Sequence, residues 1–247
     1  MAKEEETMGI MIYRDKDAAS SAAATLLAAQ MIEKPNCVLG LCATDMAALL
    51  YRKLVSMTAA GILDWSEVTV FQTSEFMAKR PGNVGILSAY LAGALYEQVN
   101  MQLSRAHAPN HNAQDLQAAC SSFEADIVAS GGLDTIVVYL GRNGHLAFNG
   151  PAREFSAFTH VELLPQNTME ESKAISGSEG TVSQAITMGM STIMSAKRII
   201  LLALGSEVAG TAARILSSAV TPAVPASILQ LHPNVTFVLD EDAAVNL

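Results

Sequence analysis

The chain has 247 residues, 50% hydrophobic and 16% charged, with a net charge of −9, enough for one large domain with a substantial core. That charge disfavours a nucleic-acid partner, whose phosphates need a basic surface, and gives no help to a phosphorylated ligand. No apolar run reaches the roughly 18 residues of a membrane span, so no membrane role is expected.

The opening stretch, MAKEEETMGIM, is acidic where a secretory leader is basic. Gly9 to Tyr13 (GIMIY) reads as a strand, followed by a helix that Asp17 caps, that runs to Glu33 and that Pro35 ends. Cys37 to Leu41 is the second strand. Met46 to Ala60 repeats leucines at helical spacing and stops at Gly61. Val68 to Gln72 is a third strand, Gln114 to Ser130 another helix ended by Gly131 and Gly132, and Asp134 to Leu140 a continuously apolar strand. Arg198 to Leu204 and Val235 to Leu239 complete the strands. This alternation reads as an α/β fold with a mainly parallel sheet in a single domain over 1–247, with Met169 to Gln184 as a polar, glycine-containing mobile flap. Three cysteines (Cys37, Cys42, Cys120) are odd in number and lack CxxC spacing. They suit reduced thiols in the cytoplasm and argue against a disulfide frame or a zinc site.

In such sheets ligands bind beyond the carboxyl ends of the strands, which singles out four loops. CATDMAA has no glycine between Gly40 and Gly61 with which to wrap a phosphate. Its Asp45 would repel one, by roughly 1 kcal/mol at 4 Å in water and about 4 kcal/mol at an effective dielectric near 20. The plainer reading makes Thr44 or Asp45 a helix N-cap. TSEFMAKR offers Glu75, ordinarily a solvated or capping group, and Lys79 with Arg80, which read as a surface pair. GRNGHLAFNGP offers His145, whose ordinary titration near pH 6.5 suits acid–base work; a catalytic histidine normally has a carboxylate partner, and this loop contains none. Taken alone, His145 is more often structural. GSEVAG provides glycine amides before a helix and no positive charge. His107, His111, His160 and His232 show no metal spacing, so no metal is expected.

Together the loops resemble the glucosamine-6-phosphate deaminase (isomerase) family, which has 6-phosphogluconolactonases as more distant relatives. GRNGHLAFNGP is close to the family pattern G-x-D-G-H-I-A-F-N-E-P. PASILQLHPNVTFVLDEDAA, LLYRKLVSMTAAGILDWSEVTVFQTSEF and ITMGMSTIMSAKRIILLALGSEVAG match its C-terminal segment, the approach to its D-E-Y motif, and its T-x-G-x-x-T helix with the strand after it. The resemblance implies a doubly wound parallel sheet, no cofactor, a sugar-phosphate ligand, and a homo-oligomer, commonly a trimer or hexamer.

It also implies roles, and here the sequence departs from the pattern. The ring-opening histidine is His145. The D-E-Y aspartate, which moves the proton at C2, is Ser74; the acid before G-H is Asn143, and the one before the proline is Gly150. Glu75 keeps part of D-E-Y. The phosphate loop reads Ala43, Thr44, Asp45; the glycines Gly141, Gly144 and Gly205 remain, and the lysine after the late strand is Val208. Lys173 is the nearest counterpart of the flap arginine. The sequence therefore predicts a cleft without acids at the catalytic positions and without cations, in a protein of little or no deaminase activity. The alternatives are a non-catalytic sugar-binding or regulatory relative and an enzyme using Glu75 and His145 on a changed, unphosphorylated substrate.

Overall fold

Short runs rich in β-branched and leucine residues form the inner strands because both faces of the sheet they build are covered; the edge strand at Gly9–Tyr13 is largely exposed among the described residues. The computed structural model describes residues 9–77, 84–166 and 182–247. Its central sheet contains β1 (Gly9–Tyr13), β2 (Val38–Leu41), β3 (Thr69–Gln72), β5 (Ala106–His107), β6 (Thr135–Tyr139), β9 (Arg198–Ala203) and β10 (Val235–Asp240). The spatial order is β1-β10-β9-β6-β2-β3-β5, and every neighbouring pair is parallel. Helices α1 (Lys16–Glu33), α2 (Ala48–Ala59) and α3 (Ile86–Ala94) pack one face around Leu27, Leu54 and Leu91. Helices α4 (Leu116–Ala129), α5 (Met190–Met194), α6 (Ala209–Ser217) and α7 (Glu241–Ala244) pack the other around Phe123, Ile193 and Ile215. This is the expected doubly wound arrangement. No helix among the described residues is long and apolar enough to cross a membrane.

Besides the short β5 and α7, two larger elements escaped the sequence. One is α3. The other is a separate antiparallel sheet, ordered β4-β8-β7, built from β4 (Ser74–Phe76), β8 (Gln184–Thr187) and β7 (His160–Leu163). Its strands have three or four residues, too few for an alternation to register. Of the segment read as a flap, residues 169–181 lie outside the described residues, as do Lys79 and Arg80, while Gln184 opens β8.

The first helix is capped by Asp15, not Asp17. The extended backbone of Asp15 lets its carboxylate accept the Ala18 amide at 2.8 Å, and Asp17, in the first turn, meets Lys53 at 2.9 Å instead. At the opposite end of the sheet from the cleft, buried Asp134 accepts the Val38 amide at 2.8 Å and takes Lys34 and Lys197, each at 2.7 Å.

Candidate active-site cleft

Beyond the carboxyl ends of β2, β6 and β9 lies a cavity of about 630 Å³. Its floor is buried and largely apolar: Cys42 and Ala43 after β2, Thr73 and Ser74 where the main sheet hands over to the small one, Phe76, Val138, Tyr139, Leu140 and Leu204. Its rim holds exposed Lys16, Asp45, Met46, Arg142 and Glu207. A cleft without cations was expected, and the structure corrects this. Lys16 comes from the first turn of α1, far from any motif loop, and Arg142 lies inside the best-matched motif at a position that pattern leaves open. A β-carbon added to Gly205 would lie 2.9 Å from Lys16 Nζ and 2.6 Å from Glu207 Oε2, so the two opposite charges hang over the same glycine. Among the described residues, two cations and two carboxylates leave the rim formally neutral.

His145 projects into this cavity. Asn143 Oδ1 accepts the His145 backbone amide at 3.1 Å and lies 2.7 Å from His145 Nδ1. The backbone amide can only donate, so the atom facing it is the amide oxygen, and Nδ1 then carries the proton in the neutral ring. That leaves Nε2 as the acceptor. Asn143 thus orients the ring as a carboxylate would, without the charge that stabilises an imidazolium. Close approach explains Gly141: a β-carbon there would sit 2.1 Å from the ring. Gly144, at φ +85°, turns the loop back, donating to the Gly141 carbonyl and accepting from the Ala226 amide.

Of the residues singled out from sequence, Ala43, Thr44, Asp45, Ser74, Gly141, His145 and Val208 line the cavity together. Val208 does so as part of the apolar core. Asn143, Gly144 and Gly205 support the loops behind the lining. Gly150 lines a separate recess of about 50 Å³ with Asn149 and Pro151, and a β-carbon there would meet nothing within 4 Å. Packing therefore does not forbid a glutamate at 150. Lys173 lies outside the described residues. Neither Thr44 nor Asp45 caps a helix with its side chain: a 3-10 turn over Asp45–Ala47 precedes α2 without a side-chain cap.

Of the readings of Glu75, the capping one holds, and the solvated and catalytic ones do not. Glu75 is fully buried and is not part of the lining. Its carboxyl accepts the amides of Phe76, Leu87 and Ser88 at 2.8–2.9 Å and the Ser88 hydroxyl at 2.6 Å, so it caps α3 from the neighbouring strand. Burial pushes the pKa of Cys42, the thiol in the floor, up to about 12, which keeps it protonated near neutral pH. Among the described residues no group of histidine, cysteine or acidic side chains is placed to hold a metal ion.

A doubly wound parallel sheet with a histidine loop and a cleft at its strand tips defines a class of small-molecule α/β proteins. Within it, residues 14–238 match the family model for glucosamine-6-phosphate isomerases and 6-phosphogluconolactonases. The chain is similar to glucosamine-6-phosphate deaminases of Clostridioides difficile (35% identical, covering 97% of each chain) and Halothermothrix orenii (36%, covering 96% of this chain and 99% of that one). It is also similar to a solved monomeric glucosamine-6-phosphate deaminase, with a TM-score of 0.91 and 30% identity over 97% of this chain and all of the other. 6-Phosphogluconolactonase from Trypanosoma brucei shares the fold alone (16% identical, TM-score 0.71, covering 98% of this chain and 99% of that one). The chain belongs to the glucosamine-6-phosphate isomerase/6-phosphogluconolactonase family.

Proposed function

We propose that this member of the family keeps a sugar-binding cleft for carbohydrate metabolism but has little or no deaminase activity. One observation carries the reading: among the described residues, the floor of the cavity around His145 has no carboxyl. At the position that the resemblance gives to the base stands Ser74, whose hydroxyl does not act as a base near neutral pH. Asn143 and Gly150 stand where it gives acids, Glu75, the carboxyl next to Ser74, is committed to α3, and Asp45 and Glu207 stand at the rim. A positioned acid or base contributes roughly 10²- to 10⁴-fold. Losing several at once leaves a small residue even though such losses are not additive. The relatives named as deaminases weigh on the other side, which makes the assay decisive. With glucosamine-6-phosphate and galactosamine-6-phosphate, coupled ammonia release is expected to fall more than a hundredfold below the usual enzyme turnover of about 10 s⁻¹. Turnover above that level sinks the reading.

A second reading rests on His145 itself. Asn143 Oδ1 lies 2.7 Å from its Nδ1 and orients the ring at the cleft, as acid–base work needs. An enzyme acting on an unphosphorylated sugar would lose activity in His145→Ala and keep it in Glu75→Gln. Assembly into trimers or hexamers belongs to the same proposal, since mixed oligomers with an active relative would give a non-catalytic member a role.

A further inference from the structure

The cleft floor contains two polar groups that the family motifs do not explain. Thr73 is fully buried and Tyr139 is 6% exposed; both line the cavity. Thr73 Oγ1 and Tyr139 OH are buried without a hydrogen-bond partner among the described residues. Nearby hydroxyls do find partners: Tyr51 donates to the Cys42 carbonyl at 2.5 Å and Tyr90 to the Thr44 carbonyl at 3.0 Å. Buried hydroxyls are nearly always bonded, to protein, ordered water or ligand. Two orphans lining one cavity beside a histidine point to a ligand that supplies the missing partners.

The surroundings select its chemistry. A hydroxyl both donates and accepts, so a pair of hydroxyls is matched by the hydroxyls of a sugar ring. Phe76, Val138, Leu140, Phe148 and Leu204 flank them, and burial holds the Cys42 thiol and the Tyr139 phenol in their neutral forms. An anion placed on such a floor would be desolvated without a cationic partner among the described residues that form it. At the rim Lys16 and Arg142 are offset by Glu207 and Asp45. We propose that Thr73 and Tyr139 are ligand-binding residues and that the cleft takes an unphosphorylated monosaccharide, its ring hydroxyls bonded at the floor. This rests on the reading that the cleft binds a sugar.

The test is calorimetric titration of the full chain with glucose, galactose, glucosamine and N-acetylglucosamine and with the 6-phosphate of each, repeated on Tyr139→Phe and Thr73→Val. At least one free sugar is expected to bind more tightly than its 6-phosphate, and each substitution to weaken it by about three- to tenfold. The unliganded variants should melt at or above the wild-type temperature, because neither hydroxyl has a hydrogen-bond partner among the described residues. Tighter binding of the phosphate, affinity indifferent to both substitutions, or a lowered melting temperature in the unliganded variants would each overturn this inference alone. The absence of binding across the panel would overturn it together with the sugar-binding reading.

Discussion

Glu75 shows how one side chain can carry a motif's signature and a different task. Every partner of its carboxyl is a donor, and two of them, the amides of Leu87 and Ser88, belong to the first turn of α3, where backbone donors lack helical acceptors. Gly85 is needed because a β-carbon there would lie 2.0 Å from Glu75 Oε2. Truncation should therefore act on stability. Glu75→Ala is expected to cost about 2–4 kcal/mol in urea unfolding, combining a lost cap with buried unsatisfied donors. A cost below about 0.5 kcal/mol would contradict this assignment. His145 and Asn143 make the complementary point, since a two-residue spacing in a turn lets an amide oxygen orient the ring. The sequence disclosed His145, Asn143 and Ser74 because they interrupt or complete a recognisable pattern. Thr73 and Tyr139 stayed hidden, because a threonine and a tyrosine at strand ends look like ordinary sheet residues until their hydroxyls are found without partners.

Among the elements, the long ones were legible. Eighteen residues of α1 and fourteen of α4 carry enough periodicity, with a cap and a stop, to be bounded within two residues. The short ones were not: β4, β8 and β7 take their conformation from pairing with one another, and α3 depends on Glu75, twelve residues before Leu87, for its start. The start of β2 depends on another distant carboxyl. Burial tends to raise the pKa of Asp134, but hydrogen bonds from Lys197, Lys34 and the Val38 amide outweigh it and hold the carboxyl below its usual 3.8. A depressed folded-state pKa contributes stability above the unfolded value and loses it as the pH falls through the folded one. The lysines are partly exposed, so the ionic share is modest. Asp134→Asn is expected to be less stable than wild type by about 1–2 kcal/mol at neutral pH, and the gap should close between about pH 4 and lower pH. A gap independent of pH would show that the charge contributes nothing.

At the scale of the molecule, the parallel order of the sheet follows from the strand–helix alternation, and its two covered faces from the continuously apolar strands. What the alternation does not show is which distant residues share the cleft. Lys16 and Arg142 are 126 positions apart in the sequence, and only the crossover that brings β1 and α1 round to β10 and β9 sets Lys16 over Gly205. Thr73 occupies an equally particular place, between the two sheets. Its amide donates to the Leu41 carbonyl in the main sheet, and its carbonyl accepts from Met188 at the end of β8. A molecule that grips the Thr73 side chain would thus rivet both layers at a single point. Occupancy should then slow hydrogen–deuterium exchange at the Thr73 and Met188 amides together, making the seam between the sheets a reporter of whether the cleft is full.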